Sequence, residues 1–453
     1  MKTVIIPQRK AIAKDKGEVV VVGGGPAGIG AAVAAARQGV KVILIERRGF
    51  LGGNITSAYV ETCNHYFIYN GFEAYGIYKD IEDKYKEQFG NSHNLRKPPF
   101  RFSSEYFRIF IDEYLLNKGV KLMLHSYITD VIMEEERISH LIIQTKEGPV
   151  AIESETVFDA SGDGMVAYYA GVPFDMGRPK DGLCMGGTTN FRLAGVNVER
   201  ILQYENDLGT VGEIYRQAVR QGKTKEVENP REYPPMGRLT KGGQVSYVNY
   251  ADVHNINSLK IEDLTHAEIK GRRIVLQMYK YLKRNVEGFE NAEISSIAPE
   301  MGFRDSRRIH GQYKLTKEDI EAGRQFEDSI ALFPKFYDLF SQDGKQDGDG
   351  TWELGREIPP WVFQPSYDDR SFEIPYRCLV PVKIDNLLVS GRCISTDHMA
   401  ESSIRAIFAC MATGEAAGTA AGIALKDKVL VKDVNVKKLQ VTLVSQGVRI
   451  RKD

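Results

Sequence analysis

Three glycines and one carboxylate have the types and the spacing needed to bind a dinucleotide. Gly23, Gly25 and Gly28 follow a run of four valines in the pattern G-x-G-x-x-G, and Glu46 comes after a further 17 residues. Glycines at these positions let the backbone turn tightly beside a pyrophosphate, and a carboxylate at that distance can bind a ribose diol. The spacing therefore predicts a bound dinucleotide.

Two further side chains could take part in catalysis. His398 precedes a helix of small residues, and histidine can move a proton near neutral pH. Arg304, in the segment FRDSRRIHG, offers planar donors for a substrate carboxylate. A structural reading of each region stays open, because His398 can bond to backbone at a helix entry and Arg307 and Arg308 can hold a domain interface through Asp305. We take His398 and Arg304 as the candidate catalytic residues. Three other histidines stay open as pocket residues, although a structural role is favoured for each: His65, His254 and His310.

The elements that would position these residues can be read from the apolar pattern. Buried strands are predicted at Val19–Val22 and Lys41–Ile45, with an Ala-rich helix at Ala27–Gln38 between them. A second helix at Phe102–Asn117 and a third strand at Val120–His125 extend the same sheet. The βαβ order predicts parallel strands with the glycine turn at their carboxyl ends.

Short alternating segments then predict an antiparallel meander at Ile128–Met133, Leu141–Thr145 and Val150–Glu153. Thr156–Asp159 is predicted to return to the sheet and to end in Ala160-Ser161-Gly162-Asp163. A Rossmann half that is interrupted by a meander is typical of flavoproteins and disfavours a simple NAD dehydrogenase.

The predicted fold class is α/β, with a Rossmann-like FAD-binding domain and an inserted α+β substrate domain. A closing strand at Leu387–Ser390 and a helix from near Ser402 return to the first domain, and Thr265 with Glu268 predicts a capping box for a helix reaching Arg284. The predicted boundaries are 1–165 and 371–432 for the FAD-binding domain, 166–370 for the substrate domain and 433–453 for a C-terminal segment.

The amino-acid composition limits the classes of binding partner that we expect. Sixty basic and sixty acidic residues give no net charge, so we expect a small-molecule substrate rather than nucleic acid or a membrane, and the oligomeric state stays open. The N-terminus has a four-residue apolar stretch, too short for a secretory signal, so we expect a cytoplasmic protein. Without a C-x-x-C pair, no metal site is expected. The cysteines are Cys63, Cys184, Cys378, Cys393 and Cys410.

Four segments resemble a family of FAD-dependent oxidoreductases allied to the flavoprotein subunits of fumarate reductase and to the A subunit of heterodisulfide reductase, with a glutathione-reductase-like FAD fold. They are VVVVGGGPAGIGAA with LIERRGFLGG, VFDASGDG, MGFRDSRRIHGQYKLTKEDI, and the stretch from IPYRCLVP to GEAAGTAAG. Their order and spacing cover nearly the whole chain.

The resemblance implies FAD bound in an extended form across the first domain. Glu46 would bind the adenosine ribose, Arg47 the adenine edge, and Ile128 would supply backbone contacts to adenine. The residues expected to bind FAD are Gly23, Gly25, Pro26, Ala27, Gly28, Glu46, Arg47, Gly52, Gly53, Asn54, Ile128, Ala160, Ser161, Gly162, Asp163, Gly391, Arg392 and Ser395.

Departures from related groups add to this expectation. The segment RRGFLGG lacks the histidine to which succinate dehydrogenase flavoproteins attach FAD, so noncovalent FAD is expected. There are no cysteine clusters for iron–sulfur centres and no second G-x-G-x-x-G for a separate NAD(P)H domain. Electrons are therefore expected to come from a substrate that reaches the flavin directly.

Four functions stay open at this point. We favour a dehydrogenase or oxidase acting on a small polar metabolite, with hydride transfer at flavin N5 and His398 as the base. A reductase or electron-transfer subunit fed by a partner is the second. A flavin-dependent tRNA-modifying protein is the third, although the neutral charge counts against it. A cofactor-binding module without catalysis of its own is the fourth.

Overall fold

The computed structural model describes residues 4, 8–61, 73–90, 102–208, 211–228, 238–335, 337–339, 342 and 371–452. Its strands are β1 (Ile12–Val22), β2 (Val42–Ile45), β3 (Lys121–Met123), β4 (Tyr127–Glu134), β5 (Arg137–Thr145), β6 (Gly148–Asp159), β7 (Phe174–Met176), β8 (Gly187–Ala194), β9 (Arg238–Leu239), β10 (Val245–Val253), β11 (Glu293–Ile297), β12 (Arg307–Ile309), β13 (Ser329–Pro334), β14 (Ser371–Pro375) and β15 (Leu387–Val389).

Its helices are α1 (Pro26–Arg37), α2 (Asn54–Ser57), α3 (Gly76–Phe89), α4 (Ser104–Leu116), α5 (Met165–Tyr169), α6 (Val198–Leu208), α7 (Val211–Arg220), α8 (Ile261–Asn285), α9 (Lys317–Ala322), α10 (His398–Ile404), α11 (Ile407–Asp427) and α12 (Val436–Ser445). Short 3-10 turns lie at Tyr376–Cys378, Gly391–Cys393 and Val431–Asp433.

The main sheet has seven strands in the order β3-β2-β1-β6-β5-β4, and β15 pairs with β6 in parallel. β1 is parallel to both β2 and β6, so Val22 lies opposite Ile45 on one side and Asp159 on the other. These three strand ends meet at one edge, where ligands of open α/β sheets bind. The predicted parallel sheet with its antiparallel meander is confirmed.

One predicted break in the meander is absent. β6 runs without interruption from Gly148 to Asp159, whereas the sequence predicted separate strands before and after residues 154 and 155. β1 is only one residue shorter and pairs with β6 along both halves, with registers Ile12 to Val150 and Val22 to Asp159. A continuous partner therefore keeps the strand extended.

Helices α1 and α11 pack at backbone distance. A Cβ added at Gly414 would lie 2.0 Å from the carbonyl oxygen of Ala27, and one at Gly418 would lie 2.2 Å from that of Ala31. On α1, a Cβ at Gly30 would lie 2.3 Å from the carbonyl oxygen of Met411. The small face predicted for this C-terminal helix is thus what lets it pack against the dinucleotide helix.

The same helix is the candidate membrane span among the described residues. α11 is long and apolar enough to cross a membrane by length and composition, with a mean hydropathy of 1.3 over its best window. Of that window, 94% is buried inside the structure. A core helix passes this test equally well, so the finding is weak evidence for a membrane span.

A second hydrophobic core lies between Phe191 and Met301. It is built on a four-stranded sheet in the order β11-β8-β10-β9, against which α8 packs. From Ile309 onward, buried residues such as Ile330, Phe333 and Phe372 belong to the first core instead. The second core therefore takes a shorter part of the chain than the predicted 166–370.

The predicted capping box on α8 was wrong. The helix begins at Ile261, and Thr265 lies inside it, where its hydroxyl donates to the carbonyl of Ile261 at 2.7 Å. Glu268 accepts the backbone N–H of Met301 at 2.7 Å instead of closing a cap. The acidic residues Glu262 and Asp263 occupy the first turn, where they favour the helix dipole.

Candidate active site

A cavity of about 850 Å³ lies along the carboxyl edge of the main sheet and continues toward the second core. Its walls include most of the residues that the sequence nominated as cofactor or substrate contacts. Those are Gly23, Gly25, Pro26, Ala27, Glu46, Arg47, Gly53, Asn54, Ile128, Ala160, Ser161, Gly162, Asp163, Gly391, Arg392 and Arg304. We call this space the cofactor cavity.

The glycine turn is shaped by close backbone contacts. Gly23 has φ +109°, and a Cβ there would lie 2.3 Å from the carbonyl oxygen of Ala160. α1 starts at Pro26 with Gly25 as its N-cap and no side-chain cap. Because the first N–H groups of a helix lack internal partners, this end of the cavity suits a pyrophosphate.

The Glu46 carboxylate closes the next part of the cavity. It is 4% exposed and accepts the backbone N–H of Gly24 at 2.8 Å and that of Arg48 at 2.9 Å. Arg48 Nε also donates to Glu300 at 3.0 Å, and Arg47 pairs with the carboxylate of Glu300 as well. Oε1 of Glu46 also accepts from Arg48 Nη1 at 3.3 Å, whereas Oε2 accepts one hydrogen bond and keeps acceptor capacity for a ribose hydroxyl.

Three nominated cofactor residues lie behind the cavity wall. A Cβ at Gly28 would lie 1.7 Å from the carbonyl oxygen of Gly23, and the N–H of Gly52 donates to the carbonyl of Gly24 at 2.8 Å. The N–H of Ser395 donates to the carbonyl of Cys378 at 3.1 Å. In this structure the two glycines shape the turn, and Ser395 links two chain segments without lining the cavity.

Arg392 links separate segments of the cavity wall through hydrogen bonds. It donates to the carbonyl of Phe303 at 2.6 Å and to the carboxylate of Asp163 at 2.6 Å, and it also bonds the carbonyl of Gly162. Ser306 donates to Asp163 at 2.9 Å from the opposite side. Arg392 therefore joins the turn at residues 162–163 to Phe303 and Ser306 in one hydrogen-bonded unit.

The C-terminal helix differs from its prediction at the cavity. The sequence predicted a helix from near Ser402, but the chain forms α10 and then a separate α11 that begins at Ile407. Arg405, Ala406 and Ile407 line the cavity, and the N-terminus of α11 has no side-chain cap. Its unpaired N–H groups can stabilise negative charge on a ligand.

Arg304 lines the cavity together with Thr188 and Met301, on the side of the second core. Its Nη2 donates to the hydroxyl of Thr188 at 2.7 Å, and its Nη1 donates to the carbonyl of Gly186. The carboxylate of Asp252 is 4.0 Å away. The guanidinium is thus anchored from behind and held in one orientation at the cavity wall.

Sequence reasoning missed several polar residues of the same wall. Arg405 has a buried Nε without a hydrogen-bond partner, and Asn190 has a buried Oδ1 without one. Asn190 donates from its amide to the carbonyl of Ala58 at 2.7 Å, so its oxygen is left for a ligand. The consecutive polar residues Thr188 to Asn190 inside a buried strand are a signal that could have found them. Asn249 and Ser258 also line the cavity, but no pattern in the sequence around them indicates it.

His398 does not line the cofactor cavity. It lines a second cavity of about 430 Å³ with Arg178, Lys317 and Gln342, and its Nε2 lies 2.9 Å from the amide nitrogen of Gln342. Burial, followed by the charges of nearby arginines, lowers the pKa of His398 to about 3. The ring is therefore neutral at physiological pH.

The remaining nominated side chains have structural partners. Arg307 donates to the carbonyl of Asp163 at 2.9 Å, and Arg308 pairs with Glu401 at 2.8 Å rather than with Asp305. His310 pairs with an aspartate at the surface. His254 lies outside both cavity walls. His65 and Cys63 lie outside the described residues.

Comparison with known proteins gives a match over most of the chain. The model of the family described as FAD dependent oxidoreductase matches residues 18–443. A thiamine thiazole synthase of Methanococcus vannielii is 25% identical over 155 residues, which cover 32% of this chain and 56% of that protein. The chain thus spans little more than half the length of that relative.

Two solved structures are similar over nearly the whole chain. A geranylgeranyl bacteriochlorophyll reductase-like protein of Thermoplasma acidophilum has 12% identity and a TM-score of 0.46, over 96% of this chain and 85% of that one. A flavoprotein/dehydrogenase of Cytophaga hutchinsonii has 14% identity and a TM-score of 0.45, over 94% and 82%.

Proposed function

This chain belongs to the FAD-dependent oxidoreductase family, and we propose that it transfers a hydride between a small polar metabolite and N5 of its FAD. FAD, once bound, supplies the two-electron chemistry, and the protein binds and orients both reactants. We further propose that the FAD is held noncovalently and that the protein is cytoplasmic, in keeping with the four described cysteines, which are all free thiols.

One observation carries this proposal. The cofactor cavity is continuous from Glu46, at the adenosine end, to Arg304, and its volume of about 850 Å³ lies near the top of the range for ligand pockets. An extended dinucleotide would occupy much of that volume. The space left beside Arg304, Asn190 and Arg405 fits a small substrate better than a macromolecule.

The polar groups at that end favour an anionic substrate. Arg304 is anchored by Thr188 and by the carbonyl of Gly186, so little conformational entropy remains to be lost when it binds a carboxylate. Arg405 and Asn190 line the same cavity and add polar groups to its wall. Together these groups can bind a carboxylate and orient a neighbouring hydroxyl or amine.

The N-terminus of α11 supports the redox role. Its N–H groups lie at the cavity beside Arg405, and the helix is 21 residues long. A preorganised positive end stabilises negative charge that develops nearby, without reorganisation during the reaction. His398 is not retained as the base in this proposal, because its ring lines the second cavity.

The test starts with an absorption spectrum of the purified protein before and after acid precipitation. We expect a yellow protein that releases FAD into the supernatant, and anaerobic bleaching by one member of a panel of small hydroxy and amino carboxylates. A protein that holds FAD but is bleached only by a protein reductant would overturn the proposal in favour of a partner-fed reductase.

The role of Arg304 is tested by Arg304→Lys, which keeps the charge and loses the planar pair of donors. We expect flavin reduction by the identified substrate to slow roughly tenfold or more, which corresponds to about 1.4 kcal/mol. Arg200→Lys is the matched control, since Arg200 is an exposed partner of Glu287 far from the cavity wall. Equal rates in both variants would remove Arg304 from the site.

A further inference from the structure

Three buried side chains converge in the wall between the cofactor cavity and the second cavity. Asp305 precedes β12, and His398 and Glu401 lie on α10. They are 0%, 8% and 0% exposed, and their potential ligand atoms all lie within 4.8 Å of one another. The mechanism proposed above uses none of them.

In each carboxylate of this group, one oxygen accepts a hydrogen bond and the other has no hydrogen-bond partner among the described residues. Asp305 Oδ1 accepts the backbone N–H of Met185 at 2.7 Å, and Glu401 Oε2 accepts from Arg308 at 2.8 Å. Asp305 Oδ2 and Glu401 Oε1 are buried and have no hydrogen-bond partner. A buried acceptor without a donor costs about 1–3 kcal/mol, so these two oxygens indicate a bound species.

The third unpaired atom is Nδ1 of His398, and its hydrogen-bond role can be assigned. Arg178 donates to the amide oxygen of Gln342 at 3.2 Å, and a guanidinium cannot accept in return. The amide nitrogen of Gln342 therefore faces His398 and donates to its Nε2 at 2.9 Å. The neutral ring must then carry its proton on Nδ1, which is a donor toward the two carboxylates.

Four arginines act on this group, and each of them pairs with a carboxylate, whereas Asp305 has no arginine partner among the described residues. Among these four arginines and five carboxylates, ionisation of both Asp305 and Glu401 leaves an imbalance of one negative charge. A single proton removes that imbalance. The four pairs are Arg178 with Asp181 (2.8 Å), Arg308 with Glu401 (2.8 Å), Arg392 with Asp163 (2.6 Å) and Arg405 with Asp338 (2.8 Å).

The three side chains Asp305, His398 and Glu401 lie between the two cavities, and residues next to them line each cavity. Ser258 lines the cofactor cavity, and its hydroxyl donates to the backbone carbonyl of Asp305 at 2.8 Å. Arg405, one helical turn after Glu401, lines the same cavity. His398 and Gln342 line the second cavity. A charge that appears on the cofactor is therefore felt by the carboxylates across a thin, buried wall.

We propose that Asp305, Glu401 and His398 form a proton-binding site in this wall, and that its two carboxylates take up a proton from solvent when the cofactor is reduced. Two electrons with one proton leave the cofactor one negative charge richer, and the low dielectric of the wall makes proton uptake nearby favourable. One carboxylate oxygen gains an O–H bond on reduction and releases that proton to solvent on reoxidation.

The acid–base balance of the two carboxylates supports this site. Burial raises the pKa of Glu401 to about 8 and that of Asp305 to about 6, in both cases against the opposing effect of Arg308. Burial together with Asp305 also raises the pKa of the adjacent Cys184 thiol to about 11, which keeps that thiol protonated. Within this wall, Asp305 and Glu401 therefore change charge between pH 6 and 8, whereas Cys184 does not.

A proton fits the three convergent atoms better than a metal ion does. An imidazole nitrogen binds a metal through its lone pair, and the Gln342 contact places a hydrogen on His398 Nδ1. A single water molecule could accept that hydrogen bond and donate to both carboxylates, because a gap of up to 4.8 Å can be spanned from one oxygen at ordinary hydrogen-bond lengths.

The test measures protons bound per electron, so it does not depend on the substrate. Spectroelectrochemical titration of the FAD-loaded protein is carried out at pH 7, 8 and 9, where the pair still has an ionised carboxylate that can take up a proton. The slope of midpoint potential against pH counts the protons. We expect the unmodified protein to take up more protons per two electrons than Glu401→Gln, by up to about one. Identical slopes would overturn the proposal.

Glu415→Gln is the matched control. Glu415 is also buried on the C-terminal helical unit, and burial raises its pKa to about 7, but its carboxylate accepts the backbone N–H of Ile77 at 2.8 Å and lies outside both cavity walls. We expect this variant to keep the slope of the unmodified protein. If both variants reduce the slope of midpoint potential against pH by the same amount, the effect comes from removing any buried carboxylate, and the proposal is overturned.

A second measurement keeps the proposal testable if Glu401→Gln does not fold. The infrared difference spectrum of the unmodified protein on reduction should gain a C=O band of a protonated carboxyl group that shifts in D₂O. Absence of such a band would overturn the proposal. Elemental analysis that finds one metal ion per chain, lost in His398→Ala, would also overturn it by assigning the three side chains to a metal site.

Discussion

The cofactor half of the cavity and the wall behind it are built in opposite ways. Around α1, shape comes from backbone: a Cβ at Gly23 or Gly414 would lie within 2.3 Å of a carbonyl oxygen. Around Asp305 and Glu401, shape comes from ionisable side chains, of which Asp305 is held by a backbone N–H and Glu401 by an arginine. The first region recognises a ligand through N–H groups and space, and the second responds to charge.

This difference decides how each region tolerates change. A backbone-built turn has no spare volume, so adding one carbon forces the chain apart. A charged wall keeps its volume when a carboxylate becomes an amide, but its proton balance changes. We therefore expect substitutions that add volume to have their largest effects near α1. Substitutions that keep the volume and remove a charge should have theirs at α10.

The largest effect is expected at Gly28. Gly28→Ala gains about 1 kcal/mol of helix propensity, yet its Cβ would lie 1.7 Å from the carbonyl oxygen of Gly23. We expect the clash to prevail, with the free energy of unfolding reduced by about 3 kcal/mol and FAD binding lost. Thermal denaturation and FAD titration measure both quantities.

Gly25→Ala is the control for that variant, because its Cβ would meet only the Cα of Gly53 at 3.7 Å, an ordinary contact. We expect the apoprotein to keep its melting temperature while FAD affinity falls, since the added methyl group faces the phosphate end of the cavity. Equal melting temperatures for Gly28→Ala and the unmodified protein would contradict the steric account.

An intermediate effect is expected from pH. In the folded apoprotein Asp305 and Glu401 have pKa values of about 6 and 8, above the values of about 4 for unfolded chains. The native state therefore binds more protons, and the stability contributed by these groups is complete below pH 4 and is lost as pH rises through 6 and 8. Each extra proton corresponds to about 1.4 kcal/mol per pH unit.

The measurement is urea unfolding of the apoprotein at pH 6, 7 and 8, which spans both pKa values. Stability should fall less steeply in Glu401→Gln than in the unmodified protein, by on the order of 1 kcal/mol per pH unit. If stability instead rises with pH in this range, the two carboxylates are ionised in the folded state, and the charged wall works differently from our account.

The smallest effect is expected outside both regions. Glu147 pairs with Lys14 on the surface at 2.6 Å, with side chains 62% and 43% exposed. Because exposed ion pairs contribute little, Glu147→Gln should change the unfolding free energy by less than about 0.5 kcal/mol and leave FAD affinity unchanged. A larger loss, seen in the same urea experiment, would show that charge matters equally everywhere on this chain.

Much of the fold could be predicted because its signals are local. The valine run, the glycine turn and the Ala-rich helix lie within residues 19–38, and the strand from Val42 follows directly. The same glycine spacing predicted a dinucleotide, the resemblance implied that it is FAD, and family membership confirms the cofactor. The small face of α11 could also be read, because every third or fourth residue of one helix shares a face.

Other parts could not be predicted because they depend on partners far along the chain. Thr265 and Glu268 have the spacing of a capping box, but Glu268 is used by the backbone of Met301. The break between Ile404 and Ile407 has no glycine or proline to mark it in the sequence. His398 has the right residue type for a base, yet its chain neighbours do not reveal which cavity its ring faces.

The sequence by itself determined the dinucleotide turn, the parallel sheet and the chemical class of the cofactor, since backbone conformation there depends on glycine and on short apolar runs. The tertiary structure alone decided that Asp305, from one segment, meets His398 and Glu401, from another nearly a hundred residues later. Burial and charge balance belong to the assembled wall, because the pKa of a carboxylate is set by everything packed around it and not by its place in the chain.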